Sequence, residues 1–255
     1  MPYVDNQGIR IHYKVEGEGP PLVLHHGSTS SMQTWYQNGY VEPLKPRYQL
    51  ILVDARGHGA SDKPHDAASY ALPLRVSDVV AVLDDLGIRK ALYWGYSMGG
   101  WIGFGMAKHA ASRVQALIIG GAHPYADSAE AFRDVDGTDP EAFIVALEKF
   151  TGTPATPAIR ARILGNDLQA LAAAMHDRDS LEEVLPTMTM PCFLYVGEGD
   201  PRLPKVEACV KDMPHATFVS IPDVNHSQAN MRSDLVLPHI AKFLQAVSMS
   251  EQVPD

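Results

Sequence analysis

The chain has 255 residues, 45% hydrophobic and 20% charged, with 30 acidic against 21 basic side chains and a net charge of −9. That composition excludes a disordered chain, a collagen-like repeat and a continuous coiled coil, and a chain this long buries roughly three quarters of its unfolded surface without a disulfide or metal staple. An acidic balance with no basic stripe argues against nucleic acid and against an anionic membrane surface as partners.

The first residues carry neither the basic segment nor the apolar core of a secretory signal, so the chain reads as cytoplasmic. Ile9, Ile11, Tyr13 and Val15 alternate with Arg10, His12 and Lys14, which predicts a half-solvated strand near a sheet edge. Apolar runs follow at 22–24, 49–53, 90–94, 114–119, 192–196 and 217–221. They do not alternate, the pattern of strands covered by helices on both faces. The longest falls far short of the roughly 20 residues that span a bilayer. Between them, Val76, Val79, Val80, Leu83 and Leu86 recur at helical spacing, with Gly87 as the stop. Further helices are predicted over 99–109 and 234–247. Strands alternating with helices imply an α/β fold with a mostly parallel, doubly wound sheet.

Residues 123–187 break this rhythm. They hold helical patterns at 141–150, 158–164 and 168–176, joined by a connector with Thr151, Gly152, Thr153, Pro154 and Pro157, and no strand. The expected organisation is a core of residues 1–122 and 188–255 with a helical cap, or lid, at 123–187. Cys192 and Cys209 have no metal-ligand spacing and read as buried thiols.

The strongest chemical signal is Gly95-Tyr96-Ser97-Met98-Gly99, a G-x-S-x-G pattern that follows an apolar strand and opens a helix through Gly100. A serine on so tight a strand-to-helix turn lifts its hydroxyl above the sheet and needs minimal neighbours, which marks Ser97 as a nucleophile. It requires a base held in one tautomer. Among eleven histidines, His226 lies between the last strand and the final helix, at the same carboxyl edge of the sheet. Asp200 follows the strand at 192–196, and the order Ser97, Asp200, His226 is that expected for a catalytic triad on such a sheet. Glu198 is the rival acid; the preceding strand end offers no carboxylate before Asp127. His25-His26-Gly27-Ser28 follows the strand at 22–24. Successive side chains on an extended segment point apart, so the histidine pair makes a poor metal site, and no metal is expected. The loop is read as the source of one oxyanion-hole amide, from Ser28, with Met98 giving the second and His26 bracing the loop. The segment 54–61 lacks a nucleotide-binding pattern and reads as a tight structural turn.

These motifs together resemble the α/β-hydrolase superfamily: His26-Gly27, Asp54-x-Arg56-Gly57-His58-Gly59-x-Ser61, Gly95 to Gly100, Gly197-x-x-Asp200 and His226. Small bacterial esterases and enol-lactonase-like enzymes are the most similar members. The resemblance implies a serine hydrolase without cofactor, acting on a small-molecule carboxylic ester or lactone. Relatives that open epoxides or displace halides carry Asp as nucleophile, where this chain has Ser97. Two alternatives share the same residues: hydrolysis of a carbon–carbon bond in a vinylogous diketone, and a small-lactone receptor that keeps the fold. Trp35, Tyr36, Tyr96, Trp101 and Tyr125 are expected near the pocket and suggest an apolar acyl or aromatic substrate. The net charge disfavours polyanions only mildly, because a local pocket can oppose it. A homo-oligomer is left open, since no exposed apolar stripe demands one.

Overall fold

The computed structural model describes residues 2–152 and 154–250, so Thr153 of the connector lies outside the described residues. In chain order the elements are β1 (Tyr3–Asn6), β2 (Ile9–Glu16), β3 (Pro21–His25), α1 (Gln33–Gln37), α2 (Val41–Leu44), β4 (Gln49–Val53), α3 (Leu72–Asp85), β5 (Ala91–Tyr96), α4 (Met98–His109) and β6 (Val114–Gly120). There follow α5 (Pro140–Thr151), α6 (Pro157–Leu164), α7 (Leu168–Ala174), β7 (Cys192–Gly197), α8 (Leu203–Val210), β8 (Ala216–Ile221), α9 (His226–Met231) and α10 (Ser233–Ser250).

Eight strands form one sheet in the order β1-β2-β4-β3-β5-β6-β7-β8; β3 to β8 run parallel and the β1–β2 hairpin joins antiparallel to β4. The parallel strands fall where the apolar runs predict them, and their composition has a geometric cause. Leu22, Leu24, Leu50 and Leu52 pack on one face with Trp94 and the α10 residues Val236, Ile240 and Leu244. Val23, Ile51 and Val53 pack on the other with Val76, Val79 and Ile102 of α3 and α4. Both sides of each strand are buried, so both must be apolar.

The N-terminal edge differs from expectation. β1 covers β2 through a turn at Gln7-Gly8, both at positive φ (57° and 85°), as a two-residue hairpin requires. β2 is therefore interior, and His12, expected to face solvent, is buried with its Nδ1 2.8 Å from Asp54 Oδ2.

The stretch 54–61 is the structural turn the sequence suggests. Asp54 accepts from the Met32 and Ala60 amides, and the Ser61 hydroxyl donates to the Asp54 carbonyl. Arg56, 3% exposed, donates Nε and Nη2 to the two carboxylate oxygens of Asp78 at 2.6 and 2.7 Å, and donates also to the Ser69 carbonyl. Between β6 and β7, α5 to α7 enclose a separate apolar cluster of Phe132, Phe143, Ile144, Ile163 and Leu171.

The Arg56–Asp78 pair yields a stability prediction. Asp78→Ala strands a buried guanidinium and lowers unfolding free energy by about 3–5 kcal/mol in urea titration. Replacing both partners, as Arg56→Met with Asp78→Leu, costs far less, because no unpaired charge remains buried. A double variant as unstable as the single one would contradict this account.

Candidate active site

Ser97 sits between β5 and α4 with φ 52° and ψ −111°, a conformation rare for any residue with a side chain. Its amide donates to the Gly120 carbonyl at 2.7 Å, and its own carbonyl accepts the Trp101 amide at 2.9 Å, so the turn is clamped to β6 and to the helix. The flanking glycines are dictated by contact. A Cβ on Gly95 would lie 2.1 Å from the Gly99 carbonyl oxygen, and one on Gly99 would lie 2.3 Å from the His25 oxygen. Backbone therefore packs on backbone on both sides of the serine.

Asp200 and His226 arrive from the ends of β7 and β8, beyond β6. The Ser97 Oγ lies 3.0 Å from His226 Nε2, and His226 Nδ1 lies 2.5 Å from Asp200 Oδ2. The other Asp200 oxygen accepts the Arg202 amide at 3.0 Å and its guanidinium at 3.3 Å. Burial raises the Asp200 pKa, but the His226 and Arg202 contacts outweigh it and hold the carboxyl below its ordinary value. Burial dominates at His226 and lowers its pKa from 6.5, against the Asp200 hydrogen bond that raises it. The base loop of the sequence reading is here the first residue of a short helix. Asn225 caps that helix in a reciprocal box with Gln228, and the Tyr96 hydroxyl donates to the His226 carbonyl. Glu198 is exposed, 3.5 Å from the Ser220 hydroxyl, and takes no part.

The loop after β3 lies against the serine: a Cβ on Gly27 would stand 3.3 Å from the Ser97 Cβ. His26 fixes this loop, donating from Nδ1 to the Gly27 carbonyl at 2.7 Å and accepting the Ala55 amide at Nε2 at 3.1 Å. The neighbouring His25 bonds Tyr93, whose hydroxyl donates to the Gly99 carbonyl. Burial lowers the pKa of both histidines, and among the described residues no cluster suits a metal. Ser28 lines the cavity, and Met98 is the first residue of α4, where helix amides have no intrahelical acceptor.

A cavity of about 490 Å³ opens above Ser97 and His226, between the sheet edge and the inserted helices. Tyr96, Trp101 and Tyr125 line it as expected. Trp35 does not. On α1, Thr34, Gln37 and Asn38 share the cavity side at i, i+3 and i+4, which turns Trp35 inward to pack at 5.2 Å from Tyr40 and Trp94. Tyr36 also points away and donates to Glu16 at 2.9 Å. The sequence reading missed the polar lining, above all Arg178 and Arg202, which no motif marks.

A serine on a tight turn after β5, an aspartate after β7 and a histidine after β8 on this sheet define a fold class, and comparison agrees. The chain belongs to the alpha/beta hydrolase fold family, whose model matches residues 20–163. It is 35% identical over 119 residues to the cis-3-alkyl-4-alkyloxetan-2-one decarboxylase of Shewanella oneidensis, covering 46% of this chain and 37% of that protein. It is also 35% identical over 129 residues to a non-heme haloperoxidase of Rhodococcus erythropolis, covering 49% and 45%. The matched stretches thus span less than half the length of these curated relatives. Among solved structures, the enol-lactonase from Burkholderia xenovorans superposes with a TM-score of 0.80 at 22% identity, over 96% of this chain and all of that one. An esterase from Rhodococcus sp. superposes with a TM-score of 0.79 at 26% identity, over 96% and 98%. Among the described residues no helix is long and apolar enough to cross a membrane.

The imidazole of His226 can take the Ser97 proton only when neutral, that is, above its pKa. Because burial lowers that pKa from 6.5, reactivity of Ser97 toward a fluorophosphonate holds to below pH 6.5 and falls only on further acidification. Labelling rates against pH check this, and a midpoint above 6.5 contradicts it.

Proposed function

We propose that the protein is a serine hydrolase that cleaves a carboxylic ester or lactone through an acyl-enzyme on Ser97. The observation that carries this reading is the continuous hydrogen-bonded line from Ser97 Oγ through His226 to Asp200, at the floor of an open cavity. His226 Nε2 removes the serine proton as Oγ attacks the carbonyl carbon. Asp200 keeps the proton on Nδ1 and stabilises the imidazolium. The Ser28 and Met98 amides receive the oxyanion, helped by the positive end of α4. His226 then protonates the leaving alkoxide and activates water to release the acid. Every step uses side chains and amides of this chain together with water.

The helices of residues 123–187 serve as a cap. Leu147, Phe150, Ala158 and Ile159 line the cavity opposite the serine, where they exclude water from a bound acyl group. Esterase and lactonase neighbours in fold support the assignment, and Ser97 sets the chain apart from the aspartate-dependent epoxide and halide chemistries.

The test is steady-state and burst kinetics on p-nitrophenyl esters of increasing acyl length beside a lactone panel and a dienone. Ser97→Ala and His226→Ala lower kcat by on the order of 10⁴-fold or more, and Asp200→Ala by less than either. Ester or lactone turnover that survives Ser97→Ala overturns the mechanism. Serine-dependent turnover of the dienone alone moves the assignment to carbon–carbon cleavage.

A further inference from the structure

Arg178 lines the cavity beside Trp101, its guanidinium carbon 4.6 Å from the centre of the indole ring. Its backbone is fixed by a two-way bridge to Asp127, with N–H···O distances of 2.9 and 3.1 Å. The guanidinium itself has no hydrogen bond or ion pair to any described residue, and only through-space charge acts on it. Burial lowers its pKa to about 10, so it remains protonated at neutral pH.

The neighbouring charges are already engaged. Arg202 contacts Asp200 at 3.3 Å, Glu148 accepts the Ala155 amide at 2.8 Å, and Asp127 lies 4.0 Å from the Lys205 ammonium. Arg162 is exposed. Arg75, 5.7 Å from the same indole, donates to the Tyr70 and Ala174 carbonyls at 2.7 and 2.9 Å. Among the described cavity arginines, Arg162 and Arg178 thus keep uncommitted donors, and Arg178, set against Trp101, is the less exposed of the two. Beside Arg178 the indole N–H of Trp101, a residue only 3% exposed, is buried without an acceptor, and His123 Nδ1 on the same cavity wall is buried without a partner. A half-buried cation with empty donors next to a second unfilled donor is costly unless an anion completes it.

We infer that Arg178 anchors a carboxylate on the substrate, so that the preferred ester or lactone is a half-acid. The planar guanidinium fork fits a carboxylate in two parallel hydrogen bonds. A single negative charge matches the Arg178 guanidinium, whereas a doubly charged phosphate would meet Asp127 and Glu148 in the same cavity. Trp101 stands four residues beyond Ser97, about 6 Å along the helix axis, and its indole forms an apolar wall for the methylenes between the carboxylate and the reacting carbonyl. This places a spacer of a few carbons between the two groups. The inference rests on the hydrolase reading and deepens it.

The test compares p-nitrophenyl hydrogen glutarate with its methyl ester, read as the ratio of kcat/KM within each variant so that a loss of folded protein does not move it. Wild type favours the acid by about tenfold or more, Arg178→Gln brings the ratio near one, and Arg178→Lys lies between. Added salt lowers the wild-type ratio. A ratio near one in wild type, or one unchanged by Arg178→Gln, overturns the inference while serine-dependent turnover of both esters leaves the hydrolase reading standing. If neither ester turns over, the hydrolase reading falls and calorimetry decides the anion site. Monomethyl glutarate binds Ser97→Ala protein, and adding Arg178→Gln weakens it tenfold or more, whereas adding Arg178→Lys preserves part of it. Equal binding with and without Arg178→Gln, or no binding to Ser97→Ala protein, overturns it.

Discussion

A residue with a side chain held at φ 52° and ψ −111°, wedged between a fully buried strand and a buried helix, is the constraint on which the rest of the site depends. Such a conformation costs about 1–3 kcal/mol and persists only where the surroundings over-determine it. Here they do. The Ser97 amide is tied to β6 and its carbonyl starts α4, while Gly95 and Gly99 let backbone meet backbone at distances no Cβ would permit. The consequence is directional. The chain reverses within one residue, the hydroxyl points off the sheet edge, and the first free amides of α4 lie beside it. Strain, the position of the hydroxyl and the nearness of the helix amides are thus one geometric fact.

The sheet order extends that fact to the other groups. β3 and β5 are neighbours, with His25 in register with Gly95, so the loop that leaves β3 runs directly beside the serine. The strand order turns at this point, where crossovers leave for opposite faces of the sheet and a crevice opens. Asp200 and His226 leave β7 and β8 on the far side of β6. Each is held by its own local device. Arg202 occupies the Asp200 oxygen not used by histidine, and the Asn225–Gln228 box together with Tyr96 sets the His226 backbone. The hydrogen-bonded line from Ser97 through His226 to Asp200 is consequently built from three strand ends.

What could be read from the residues alone follows the same physics. The six parallel strands are legible because burial on both faces leaves continuous apolar runs. Ser97, Asp200 and His226 are legible because the turn demands small neighbours and the sheet imposes an order. β1 is not, since four residues with Asp5 and Asn6 carry no pattern until the Gln7-Gly8 turn pairs them with β2. That missing strand is also why His12 reads as solvated. Trp35 misleads because an aromatic ring in a five-residue helix has no periodicity to show which side is the core. Arg178 is silent for a different reason. Nothing local distinguishes an arginine whose acceptors fold away from one that keeps them.

This last point bears on how an acidic protein can receive an acidic ligand. A net charge of −9 spread over the surface is screened within about 8–10 Å at ordinary ionic strength, so it sets encounter more than binding. Inside the cavity, walls of protein replace water, and the arginines of the lining, Arg178 at 4.6 Å from the indole centre among them, contribute positive charge locally. The acidic residues of the cavity lining, Asp127 and Glu148, are tied to Lys205 and to a backbone amide, which blunts their opposition. In the proposed reading global and local charge therefore point in opposite directions, and the local one would act where a substrate enters. In the proposed reading the same arrangement separates two tasks along α4: its N-terminus would offer amides to a transient oxyanion, whereas the ring one turn later, flanked by Arg75 and Arg178, would border a place for a permanent one.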